Sequence, residues 1–174
     1  MVNREVTGTY KVRHLVRGIL CGIPIAVTIL DRIGYIAKVD GISMQPTLNP
    51  DTWIHDYVFL NHWALQSEGI QRGEVVALIS PKRPNETLIK RVVGLPGDII
   101  CSRGSYGQIL KVPEGHCWVE GDHTGCSLDS TTFGPVSLGL ITAKATCIVW
   151  PPKRWQFLNR TTLNHKFQLY LARD

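Results

Sequence analysis

The pattern of apolar and polar positions changes at about residue 36. Before it, residues 1–17 carry Arg4, Lys11, Arg13 and Arg17 against a single Glu5, and residues 18–30 form an apolar run without a charge. Thirteen residues fall short of the roughly 20 that span a bilayer. Extension through Asp31 and Arg32 to Ile36 supplies the length, and charges near the end of a span are tolerable because a long side chain reaches the interface. The expected element is one transmembrane helix over residues 18–36, with the basic segment 1–17 on the side that positive charge favours and everything after Ile36 on the opposite side.

Beyond Ile36 the pattern is that of short strands. Apolar stretches at 57–60, 75–79, 88–93, 99–101, 109–112, 117–119 and 145–150 are separated almost everywhere by glycine or proline. There is no long 3.6-residue period, no internal repeat and no low-complexity segment. The predicted fold is mainly β, one domain over residues 37–155, followed by polar, weakly patterned residues 156–174. Trp53, Tyr57, Phe59 and Trp63 belong either to the core or to a membrane interface.

Composition narrows the class. A length of 174 residues with 44% hydrophobic content suits one domain with a sizeable core plus an appendage. The formal charge is +5, yet the basic residues are scattered and no nucleic-acid recognition signature accompanies them, so a nucleic-acid partner is not expected. Cys21, Cys101, Cys117, Cys126 and Cys147 are odd in number and contain no Cys-x-x-Cys pair, which indicates no disulfide framework. His116, Cys117, His123 and Cys126 lie close together but in no recurrent zinc spacing. Neither a metal nor another cofactor is expected.

Two stretches carry candidate chemistry. In Asp40-Gly41-Ile42-Ser43-Met44-Gln45-Pro46-Thr47-Leu48 a serine stands on a turn between glycine and proline, bracketed by apolar residues. Ser43 becomes a nucleophile only if a base removes its proton. In Thr87-Leu88-Ile89-Lys90-Arg91-Val92-Val93-Gly94-Leu95-Pro96-Gly97-Asp98, strand alternation puts Lys90 on one face with Leu88 and Val92, and Arg91 on the other with Ile89 and Val93. Burial among apolar groups disfavours the ammonium form, so Lys90 is the candidate base. Arg91 cannot serve, since a guanidinium stays protonated. A Ser-His-Asp arrangement is the alternative, with His55 or His123 and Asp51, Asp56, Asp122 or Asp129, although Ser43 lacks the Gly-x-Ser-x-Gly elbow.

These two blocks, with Gly121-Asp122-His123-Thr124-Gly125-Cys126-Ser127-Leu128-Asp129-Ser130-Thr131 and the Trp150-Pro151-Pro152-Lys153-Arg154-Trp155 ending, resemble the type I signal peptidases. Within that family they look like the mitochondrial inner membrane peptidases, subunit 2, over residues 25–155. The resemblance implies a signal-peptidase-like β-barrel catalytic domain behind one N-terminal transmembrane helix, with Arg72-Gly73-Glu74-Val75-Val76-Ala77-Leu78 as the strand entering the barrel. It implies a single-pass serine endopeptidase of the mitochondrial inner membrane, N-terminus in the matrix and catalytic domain facing the intermembrane space, that removes N-terminal targeting signals from precursors delivered to that space and is paired with a subunit 1 homologue. By position, Ser43 and Lys90 would be the catalytic dyad, and Ser127 would hydrogen-bond the lysine amine. Asp129 would pair with an arginine two residues on, but Thr131 stands there, so hydroxyls or backbone amides must hold it instead. Bacterial relatives often place a serine two residues before the nucleophile as an oxyanion donor. Here that position is Gly41, which leaves the Ser43 amide and an unassigned second donor and gives the substrate backbone close approach. Met44 and Pro46 support the turn, Met44 by packing beneath it and Pro46 by fixing φ. The competing reading is a catalytically silent, membrane-anchored β scaffold for a partner peptidase, which requires Lys90 to be exposed. A self-cleaving repressor-like Ser-Lys protein lacks its DNA-binding region here.

Overall fold

The computed structural model describes residues 3–51, 53–101, 109–123, 125 and 127–160. Its first element, α1 (Asn3–Ile33), contains the stretch Lys11–Ile33, which is long and apolar enough to cross a membrane. Val12, Leu15, Ile19, Leu20 and Ile23 are all at least half exposed, a surface that an apolar surrounding would cover. Pro24 lies inside the helix without an N–H to donate, and Thr28 Oγ1 donates to the Pro24 carbonyl at 2.8 Å.

The helix stops three residues before the expected anchor end. Gly34 already pairs with Asn61 and opens β1 (Gly34–Lys38), so Tyr35 and Ile36 belong to the sheet. Gly34 has φ +147°, and a Cβ there would lie 2.0 Å from the Leu60 carbonyl oxygen. Only glycine fits that crossing from helix to strand.

Then follow β2 (Tyr57–Asn61), α2 (His62–Glu68), β3 (Val75–Ile79), β4 (Thr87–Gly94), β5 (Ile99–Cys101), β6 (Ile109–Lys111), β7 (His116–Glu120), α3 (Ser130–Phe133), β8 (Val136–Ser137), β9 (Ile141–Trp150) and β10 (Gln156–Phe157). Eight strands form one sheet in the order β1-β2-β9-β3-β4-β7-β8, with β10 beside β9, while β5 and β6 pair separately. Among the described residues the path ends at β1 and β8, so the expected mainly β body is present as a half-barrel. All the strands expected from the apolar pattern are present. Two-residue β8 and β10 and the short α2 and α3 have too few positions to show a period. The start of the expected tail also belongs to the sheet: β10 pairs with β9, and Leu158 N donates to the Thr146 carbonyl at 2.8 Å. Residues 161–174 lie outside the described residues.

β4 positions the site, and its alternation is visible in the packing. Val92 joins Val76, Leu78 and Val119 in one cluster, Ile89 packs against another that contains Val75, Ala77, Met44 and Leu48, and Val93 belongs with Ile100, Val112 and Trp118 to a third. Complete burial of residues such as Val76, Leu78 and Leu48 contributes about 1.5–3 kcal/mol each to holding these strands together. Trp53 and Trp63 are 92% and 61% exposed, which removes them from the core.

Candidate active site

The turn after β1 is drawn down at two points. Met44 and Leu48 are buried in the core beneath it, and Leu48 N donates to the Met44 carbonyl at 2.9 Å. Gln45 N donates to the Ile42 carbonyl at 3.0 Å, and the Gln45–Pro46 peptide is cis. Gly41 enters the turn at φ +90°, a conformation that favours glycine, and a Cβ there would meet nothing within 4 Å. The residue is thus needed for the backbone path, and the space in front of it stays open. Ser43 faces that space.

β4 brings the second group. Lys90 stands opposite Val76 of β3, two positions from the Leu88–Leu78 pair, and is only 2% exposed. Lys90 Nζ donates to Ser43 Oγ at 2.6 Å. Burial is the main influence on the amine and lowers its pKa from the ordinary lysine value, while the negative charges of Asp129 and Asp122 oppose the shift. The two groups open into a groove of about 180 Å³, also lined by Lys38, Asp40, Gly41 and Leu88. Neither histidine ring of the triad alternative bonds to the serine hydroxyl. His55 Nδ1 lies 3.5 Å from Asp40 Oδ1, and His123 Nδ1 accepts from Gly125 N at 3.3 Å.

The family description "Signal peptidase, peptidase S26" matches residues 12–106 and 102–150 of this chain. The chain belongs to the signal peptidase family. It is 53% identical over 143 residues to the mitochondrial inner membrane protease subunit 2 of Mus musculus, covering 82% of each chain. The subunit 2 protein of Saccharomyces cerevisiae is 42% identical over 137 residues, covering 76% of this chain and 77% of that one. The subunit 1 protein of Homo sapiens is 35% identical over 147 residues, with coverage of 82% and 86%. A crystal structure of a signal peptidase I from Enterococcus faecalis V583 matches at 24% identity with a TM-score of 0.38, covering 44% of this chain and 97% of that one. By its family match and its relatives, the protein is a serine peptidase of signal peptidase type.

Around the groove of this signal peptidase, Gly121, His123 and Asp129 brace the nucleophile turn from the β7 side. His123 N donates to the Ser43 carbonyl at 3.1 Å. Asp129 accepts from Thr131 Oγ1 at 2.6 Å, from Thr131 N at 3.1 Å and from Gly121 N at 3.1 Å, so hydroxyl and amides hold it in place of an arginine. Gly121 packs so closely that a Cβ would lie 2.3 Å from Ser127 Oγ and 2.4 Å from the Ser43 carbonyl oxygen. The hydrogen bond expected from Ser127 to the lysine amine is not formed. Ser127 Oγ is buried and has no hydrogen-bond partner, because the turn ends with its hydroxyl against the Gly121 backbone.

Two parts of the site went unread in the sequence. Arg91, on the face of β4 opposite Lys90, makes a two-pronged ion pair with Asp122 (Nε to Oδ1 2.8 Å, Nη2 to Oδ2 2.6 Å) and donates to the Gly73 carbonyl at 2.7 Å. The only signal was the Lys-Arg dipeptide itself, since alternation commits Arg91 to the buried opposite face, where it needs a partner. The second is a clasp under the nucleophile turn, formed by Asn49, Asp56 and Arg154. Asp56 is fully buried, accepts from Asn49 N at 2.8 Å and lies 2.9 Å from Arg154 Nε without hydrogen-bond alignment. Arg154 Nη2 donates to the Thr47 carbonyl at 3.1 Å. Asn49 and Asp56 are close in the chain, but Arg154 is distant from both, and the three share no local pattern.

Proposed function

We propose that Ser43 is the nucleophile and Lys90 the general base of a membrane-anchored endopeptidase that removes targeting signals from precursors. The observation that carries this reading is the 2.6 Å contact between Lys90 Nζ and Ser43 Oγ at a lysine 2% exposed. A neutral amine reverses that contact, so that Ser43 O–H donates to Nζ. The proton passes to Lys90 as Oγ attacks the scissile carbonyl, and the lysine then protonates the departing amine. The N-terminal fragment remains as an ester on Ser43, and water deprotonated by Lys90 releases it. The silent-scaffold reading needed an exposed lysine and loses its support.

Location and partners follow the relatives. Proteins named as subunits 1 and 2 of a mitochondrial inner membrane protease are both similar to this chain, which supports a complex with a subunit 1 type chain. Basic residues ahead of the apolar helix favour the matrix for the N-terminus, leaving the half-barrel in the intermembrane space. Precursors with cleavable signals are the substrate class. An extended precursor segment would enter the groove beside β1, with shallow room for small side chains.

The test of the dyad is the pH dependence of single-turnover cleavage by the full-length protein in detergent. Burial lowers the Lys90 pKa, and the neutral amine is the active form, so the rate should be low in acid and rise with pH through the shifted lysine pKa. A flat profile from about pH 6 to 9 refutes Lys90 as base. The anchor has its own test. Removal of residues 1–33 should leave cleavage of short soluble peptides in detergent within a few-fold while processing of membrane-tethered precursors falls by about tenfold or more, as local concentration at the bilayer is lost. Equal processing of tethered precursors by both forms would show that the helix does not serve delivery.

A further inference from the structure

We propose that Asn49 is a positioning residue for the oxyanion: it orients the Gly41–Ile42 peptide so that the Ile42 N–H, beside the Ser43 N–H, receives the negative charge formed on the substrate carbonyl. The inference rests on Ser43 being the nucleophile and goes on to name the second donor, which Gly41 cannot supply from a side chain.

Three observations meet at this peptide. Among the described residues neither the Ile42 N–H nor the Ser43 N–H donates to a protein acceptor, although the amides of Gln45 and Leu48 in the same turn are both bonded. Both donors are therefore left free for a ligand. Next, Asn49 Nδ2 donates to the Gly41 carbonyl at 3.1 Å and to the Val39 carbonyl at 2.8 Å. The carbonyl and the following N–H of a trans peptide point in opposite directions, so tying the Gly41 oxygen to buried Asn49 turns the Ile42 N–H away from the core, at the exposed side of a turn whose Gly41 and Ser43 line the groove. Finally, Gly41 has φ +90° and no neighbour within 4 Å of a Cβ position. Glycine tolerates either sign of φ, so the turn does not by itself fix which way this peptide faces. A flipped peptide would aim its carbonyl oxygen at the developing oxyanion and repel it.

The clasp holds Asn49 to this task. Asn49 adopts φ +49°, its Oδ1 accepts from Asp56 N at 2.7 Å and its carbonyl accepts from Gln45 Nε2 at 2.6 Å. Asp56 is steadied in turn by Arg154, 24% exposed, which also reaches the Thr47 carbonyl. The Trp-Pro-Pro-Lys-Arg-Trp segment at the end of β9 is thus connected to the nucleophile turn through Arg154.

The experiment compares full-length protein with Asn49→Gly, Arg154→Met and Ser43→Ala in detergent. Glycine accepts the positive φ at 49, so the first substitution removes the side-chain amide without backbone strain. The probes are a fluorogenic peptide with alanines flanking the cut and a peptide boronic acid ending in alanine, whose boron adds Ser43 Oγ and carries negative charge at the oxyanion position. Asn49→Gly should lower kcat by about 10²-fold, leave KM within about twofold, and weaken the boronate in step with kcat/KM. Arg154→Met, on a partly exposed side chain, should lower kcat by a smaller factor with the same signature, and it decides the matter if Asn49→Gly does not fold. Folded variants with kcat near the parent value, or with a change confined to KM, overturn the positioning role. Cleavage by Ser43→Ala would instead overturn the dyad, so the two failures are told apart.

Discussion

Lys90→Arg is expected to leave the protein folded and to lower kcat by about 10²–10⁴-fold, the usual contribution of a positioned general base. The substitution keeps the positive charge and the long stem, but a guanidinium cannot accept the Ser43 proton at any pH the fold survives. Because Lys90 is 2% exposed and stands among Val76, Leu88 and Val92, Lys90→Met is the companion variant, matching the stem without burying a larger cation. Both should show unchanged far-ultraviolet circular dichroism, and the pH-dependent rise in rate should vanish with the amine. Since loss of a nucleophile and loss of its base are not additive, Ser43→Ala combined with Lys90→Met should be no slower than Ser43→Ala alone. Either single variant retaining more than about a tenth of the parent kcat would rule out general-base catalysis by Lys90.

Arg91→Met should destabilise the half-barrel by about 3–5 kcal/mol, a large part of the 5–15 kcal/mol typical of a whole domain. Its side chain is 5% exposed and that of Asp122 15%, so removing the guanidinium strands a carboxylate in poor solvent. It also leaves the Gly73 carbonyl without its donor at 2.7 Å. The urea midpoint reports the loss, with the slope unchanged if the native and unfolded states keep their extent. Replacing both partners, as Arg91→Met with Asp122→Leu, should recover a substantial part of it, because an apolar pair carries no unpaired charge. Catalysis should suffer with Arg91→Met, since Asp122 and His123 are neighbours and His123 N holds the Ser43 carbonyl. A cost below about 1 kcal/mol would mean that solvent reaches the pair.

Much of the fold was legible along the chain, for a local reason. Apolar alternation needs only neighbouring residues, so the strands bearing Lys90 and Trp118 could be found, and the split between Lys90 and Arg91 followed from the same two-residue period. Boundaries were less legible. The anchor was drawn to Ile36 because hydropathy continues past Ile33, whereas the chain passes from helix to strand at Gly34, where only glycine clears the carbonyl of Leu60, 26 positions further along the chain.

What the sequence by itself determined was the inventory and its local facing: an apolar N-terminal helix, a mainly β body, a serine on a glycine-to-proline turn and a lysine on an apolar strand face. Only the tertiary structure decided which of these groups meet. It put Lys90 Nζ 2.6 Å from Ser43 Oγ across 47 positions of chain, joined Arg91 to Asp122, and left Ser127 Oγ without a partner against Gly121. The physical reason is that burial and hydrogen bonding at such a site are set by strand register and by the closure of long loops. Those depend on the summed packing of all three core clusters, and no stretch of the chain encodes them locally.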